Sequence, residues 1–219
     1  MDLSKQSPHI IRTTQQDKSK NLGYVSKRDQ IAKQYHIIRS WKPWSDVWPL
    51  NFGRNILIST TVITSIYINH LFRRKMKLRN YGTVPTMLGL TITPAAVTAL
   101  LHSQLIINKL LLLEIPCSLC MESKSALSQT CSGVFLPLIL APIANFSIAA
   151  GSGIYNVPYI TNVREIFRQV LTIYQPMFPK IAMIFTFHAL LAGFITYSEI
   201  KSYLRMLDTQ YLIEEEKKE

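Results

Sequence analysis

Four long stretches of this chain carry no Asp, Glu, Lys or Arg. They run from Asn55 to Phe72, from Asn80 to Asn108, from Ser125 to Val163 and from Ile181 to Ser198. Elsewhere charges occur at ordinary density. Crossing ~30 Å of hydrocarbon takes about 20 residues, or slightly fewer when flanking side chains reach back to the headgroups. A buried soluble helix seldom runs this long without a charge. The pattern therefore predicts an all-α, polytopic membrane protein: a four-helix transmembrane bundle. Expected spans are about 55–72, 85–106, 126–150 and 181–198, within a membrane domain of residues 51–203.

The 219 residues suffice for one domain. Mean hydropathy is only +0.14 because basic tails and loops dilute the spans. The net charge of +11 raises the question of nucleic acid. The cations form neither a helical stripe nor an aromatic-interleaved patch, so no nucleic-acid partner is expected. They flank the apolar stretches, where they meet anionic headgroups and set topology.

Residues 1–50 divide in two. The first 30 are polar and aperiodic, as in a flexible tail. They have no apolar run for a secretory signal, and Asp2 and Asp17 make a poor presequence. Trp41, Trp44 and Trp48 then recur at helical spacing, and Pro43 and Pro49 break any long helix there. Indole favours the membrane–water boundary, so a short interfacial segment is expected, with a protein-docking face as the alternative.

The first span ends in a basic cluster: Arg73, Arg74, Lys75, Lys77 and Arg79. A topology signal and a clamp for cardiolipin or an acidic partner segment both fit it. The guanidinium groups of Arg73 and Arg74 are expected at the membrane surface. Pro94 should kink or locally break the second span. The third contains Gly133, Pro137 and Pro142 and closes at a small-residue hinge, Gly151-Ser152-Gly153. Residues 162–175 read as a surface helix before the last span, with Val163, Ile166, Phe167, Val170, Leu171 and Tyr174 on one side. Residues 204–219 read as a charged, frayed tail.

Topology is balanced. Both tails and the second loop carry Lys33, Arg39, Lys42, Arg54, Lys109, Lys124, Lys201 and Arg205 near the membrane. The other side carries Arg73, Arg74, Lys75, Lys77, Arg79, Arg164, Arg168 and Lys180. The dense, short first loop tips the reading towards that side facing the matrix or cytosol.

No catalytic residue, cofactor or metal is expected. No acid falls within the four stretches, whereas ion-coupled carriers usually hold an ionisable group at depth. His188, mid-way along the fourth span, is the candidate for a buried polar role or an interface. A neutral imidazole bonded to a neighbouring helix is the plainer reading. Cys117-Ser118-Leu119-Cys120 lacks the further ligands of a zinc site and the βαβ setting of a redox motif. A local disulfide between Cys117 and Cys120 and two unbonded thiols both remain open. Thr60, Thr61, Thr64, Ser65, Ala95, Ala96 and Ala99 provide close-packing faces, for a partner or for the bundle itself.

Several strings resemble the transmembrane protein 126 family. Asn69-His70-Leu71-Phe72-Arg73-Arg74 is similar to its N-x-LFRR element. Cys120 with Cys131-Ser132-Gly133-Val134-Phe135-Leu136-Pro137 and Leu140-Ala141 resembles its Cys-x10-Cys-Gly-Val-Phe-x-Pro arrangement, with Ser132 interposed at the Cys-Gly step. Tyr155-Asn156-Val157-Pro158 resembles its Tyr-x-x-Val-Pro element, and Gly193 and Tyr197 fit the fourth span. The likeness covers about residues 69–203. It implies a multi-pass mitochondrial inner-membrane scaffold for the membrane arm of respiratory complex I, not an enzyme. Its partners would be membrane-arm subunits and other assembly factors. The alternative is a small transporter or channel component for a neutral solute.

Overall fold

The computed structural model describes residues 27–78, 80–115, 117–152 and 162–216. Among these, helices and turns make up the whole fold. The chain divides into two units, Met1–Ser40 and Trp41–Glu219. In the first, α1 (Lys27–Ser40) places Asp29 in its first turn and Arg39 in its last, each at the helix end whose dipole favours it.

The second unit is a bundle of four helices long and apolar enough to cross a membrane. They are α2 (Trp48–Met76), α3 (Thr83–Leu111), α4 (Ser118–Gly151) and α6 (Phe178–Glu216), with the short α5 (Val163–Tyr174) leading into α6. Both the all-helical class and the four spans match the sequence reading. Expected and observed ends differ. α2 starts at Trp48 because Pro49 occupies its first turn, where no backbone N–H is needed. α4 starts at Ser118 and includes Glu122 and Lys124. α6 runs to Glu216, so residues 204–216 are helical and not a frayed tail. Helices continue past the hydrocarbon wherever their backbone bonds can, and charges are tolerated there.

Pro94 does not break α3, which stays helical on both sides of it, and the hydrogen-bond register changes farther on, at a π-turn over Ser103–Ile107. A second π-turn, Cys131–Phe135, interrupts α4. Gly151 closes α4, and the helical conformation carries on through Ser152. Gly153, Arg79 and the Tyr155–Pro158 string lie outside the described residues.

Three apolar clusters hold the unit together. Leu57, Ala192 and Ile195 join α2 to α6. Ile68, Leu90 and Ala141 join α2, α3 and α4. Phe72, Met76, Phe146 and Ile173 close the far end, where α5 lays Ile166, Val170 and Tyr174 on them. Phe72 meets Phe146 at 5.7 Å and Tyr174 at 5.5 Å between centroids. The Tyr174 hydroxyl donates to Leu138 O at 2.8 Å, which locks α5 to α4.

Before α2, Trp41 is half-buried while Trp44 and Trp48 are exposed. Trp44 and Phe52 meet edge to face at 5.5 Å. Exposed indoles at the mouth of a span suit a headgroup boundary. Asp46 pairs with Arg205 at 3.6 Å, tying this segment to α6.

Candidate functional site

The polar side chains inside the bundle form three layers, roughly 12 Å apart along α2 at 1.5 Å per residue. The layer nearest the basic loop is built around Arg73, which is buried. Lys77, in the left-handed conformation, ends α2 and turns the chain back over the guanidinium. Nη2 donates to Tyr81 O at 2.7 Å and Thr83 Oγ1 at 3.0 Å. Nη1 donates to Thr86 Oγ1 at 3.1 Å and Asn145 Oδ1 at 3.2 Å. Asn145 Nδ2 in turn donates to Asn69 Oδ1 and to Ala141 O, both at 2.8 Å. Gly82 makes the turn with φ of 64°, a conformation that disfavours side chains. A Cβ there would also meet Ile148 Cδ1 at 2.6 Å.

Arg73 is therefore not a surface clamp. Its planar fork of donors is spent on the first loop, α3 and α4. Among the described residues of the cluster, Arg74, Lys75 and Lys77 are exposed.

The middle layer centres on His188, which has no solvent exposure. Gln129 Nε2 lies 3.1 Å from Leu57 O, 3.0 Å from Thr61 Oγ1 and 3.2 Å from His188 Nδ1. A carbonyl can only accept, so the amide nitrogen faces this cluster and Nδ1 accepts from it. Nε2 then carries the imidazole proton and donates to Thr64 Oγ1 at 2.8 Å. The network continues from Thr61 to Thr98 at 3.3 Å and from Thr98 to Ser132 Oγ at 2.8 Å. All four spans contribute. Gly133, in the π-turn of α4, makes room: a Cβ would meet His188 Nδ1 at 2.8 Å and Thr61 Oγ1 at 3.0 Å. His188 is internal glue, not an interface residue. Thr61, Thr64 and Ser65 likewise face inward, whereas Ala96 is exposed.

The third layer holds two groups that sequence reasoning missed. His102 Nε2 and Glu199 Oε1 share a hydrogen bond of 3.0 Å, and both side chains are buried. Glu199 Oε2 has no hydrogen-bond partner among the described residues. Gly53 on α2 admits the carboxyl group: a Cβ there would meet Oε1 at 2.5 Å. Glu199 follows the fourth charge-free stretch by one residue, and His102 lies inside the second. Ending the fourth span at its first charge hid Glu199, and without that partner nothing in the sequence marks His102.

Cys117 and Cys120 are free, exposed thiols with no disulfide between them. Cys117 caps α4, its Sγ accepting the Cys120 N–H at 3.4 Å. Hydrogen bonds from Cys120 pull the Cys117 thiol below its usual range. Among the described residues no group of three His, Cys, Asp or Glu could hold a metal.

The family profile for transmembrane protein 126 matches residues 32–212, which takes in all four spans and every layer just described. The chain belongs to the transmembrane protein 126 family. It is 35% identical over 199 residues to Transmembrane protein 126 of Drosophila melanogaster, covering 88% of this chain and 89% of that one. No solved structure matches the chain. The transmembrane protein 126 match begins in α1, well upstream of the Asn69–Tyr203 region where the string likeness lies, so α1 and the tryptophan segment belong to the family's matched region too.

Proposed function

We propose that this family member is a multi-pass protein of the mitochondrial inner membrane that assists assembly of the membrane arm of respiratory complex I. It acts by contact and performs no chemistry of its own. The family role implied by the sequence resemblance supplies the client. The structural observation that supports a scaffold is the direction of the polar side chains. The three layers are turned inward, and the outward faces are apolar: Val84, Leu88, Ile92 and Leu100 on α3, and Met183, Phe187, Leu190 and Phe194 on α6.

Lipid cannot satisfy polar groups, so a newly inserted helix with a polar face needs a protein partner. A bundle most of whose buried polar groups bond internally, with Glu199 Oε2 among the exceptions, needs little of that help. It keeps its structure alone and can meet a growing assembly and leave it. Arg74, Lys75 and Lys77 add exposed cations at one end, for acidic partner segments or cardiolipin.

One observation favours the alternative, a small carrier. The buried Glu199–His102 pair is the kind of intramembrane ionisable group that transporters use. Blue-native electrophoresis separates the readings. A scaffold co-migrates with large assemblies that disappear when membrane-arm subunits are not made. A carrier migrates unchanged under that depletion, and such a result would overturn the proposal.

A further inference from the structure

α5 is apolar over a wider arc than the bundle covers. At 100° per residue its apolar side chains sweep about 160°, from Ile173 through Ile166, Val170, Val163, Tyr174 and Phe167 to Leu171. Ile166, Val170 and Ile173 occupy one edge of that arc and pack on the bundle. Val163, Phe167 and Leu171 occupy the other and are exposed, at 70%, 63% and 51%. The exposed part borders a cleft of about 860 Å³ between α5 and the start of α6, floored by Phe167, Leu171, Phe178 and Pro179.

Charge is distributed unevenly around that arc. Arg164 and Arg168, one turn apart, follow Leu171 at about 20° and 60° on the wheel, and both line the cleft. Glu165 sits farther round, and Gln169 lies beside the covered edge. Neither guanidinium forms an ion pair among the described residues. An apolar cleft with cations on one lip fits a molecule with an anionic head and a long hydrocarbon tail. An acidic peptide would not use the apolar floor, and a neutral lipid would not use the arginines.

We infer that the cleft between α5 and α6 binds one anionic phospholipid, with its phosphate on Arg164 and Arg168 and an acyl chain along Phe167, Leu171 and Phe178. The site is separate from the basic loop after α2. It does not depend on the assembly role, only on a membrane-spanning bundle. Arg forks bind phosphate oxygens in a bidentate way, and amphipathic helices gain affinity from buried apolar area together with headgroup charge.

The test uses the full chain in mixed micelles, with retained lipid counted by native mass spectrometry. Phosphatidylglycerol should be retained over phosphatidylcholine. The double variant Arg164→Gln/Arg168→Gln should lose that preference, with retention falling roughly tenfold or more. Lys124→Gln/Lys201→Gln, which removes the same charge from two exposed lysines elsewhere, should keep it. Inorganic phosphate should not displace the lipid. Equal retention of the two lipids, equal loss in both double variants, or displacement by phosphate would each overturn the inference. A second measurement needs no variant: phosphatidylglycerol with a photoreactive acyl chain should cross-link to Phe167, Leu171 or Phe178. Unlabelled phosphatidylglycerol should compete and phosphatidylcholine should not. Cross-links elsewhere alone would contradict the site.

Discussion

Exchanging Arg73 for Lys should lower the melting temperature of the purified bundle on the order of 10 °C, while exchanging Arg74 for Lys should shift it by about 1 °C or less. Both changes keep the charge. The difference lies in what each guanidinium touches. Arg73 Nη1 and Nη2 reach Tyr81 O, Thr83, Thr86 and Asn145 from one planar group. An ammonium has three donors at a single point and cannot span those acceptors. Each buried acceptor left unbonded costs about 1–3 kcal/mol, so two of them cost about 2–6 kcal/mol. Arg74 is exposed and retains its charge as Lys. Equal melting temperatures for the two variants would contradict the internal role of Arg73.

His102→Ala should cost about 3–5 kcal/mol, because it leaves Glu199 buried without its one hydrogen bond. The double variant His102→Leu/Glu199→Met should recover to within about 1 kcal/mol of the parent, since an apolar pair of similar size removes the desolvation cost along with the bond. Chemical-denaturant or thermal unfolding in one detergent reads both changes. The same double variant also bears on function. If the pair only holds α3 to α6, the apolar bundle still supports assembly. If the pair moves protons or ions for a carrier, the bundle folds and its function fails.

The spans were legible from sequence because hydrocarbon excludes charge more strictly than any soluble core does. The four gaps locate α2, α3, α4 and α6 without reference to tertiary structure. Their ends were not legible, since a helix crosses the headgroup region without a change in its backbone bonding. That is why the sequence alone presents Ser118–Lys124 as loop and Leu204–Glu216 as tail. Arg73 was misread for the same reason. A charge at the end of a gap looks like a boundary, and only the fold of the next ten residues shows otherwise. That fold depends on Gly82 taking a left-handed turn and on Thr83 and Thr86 pointing back.

His188 was recognised as a buried polar residue from its position within a gap. Its partners were not, because Gln129, Thr64 and Thr61 are distant in sequence and ordinary in kind. The Glu199–His102 pair left a weaker trace still. Nothing in α6 marks Glu199 as buried until Gly53 on α2 is seen to open the space for it. The apolar face of α5 was legible by its period. The part of that face left uncovered was not, because coverage depends on where Phe72 and Phe146 stand.

Depletion of the chain from mitochondria, followed by quantification of every respiratory complex, tests the central claim most directly. Mature complex I should fall, partial membrane-arm assemblies should accumulate, and complexes built without this protein should keep their levels. Re-expression of the parent chain, and of the apolar His102→Leu/Glu199→Met variant, should restore complex I. Normal levels and activity of complex I in depleted mitochondria would contradict it.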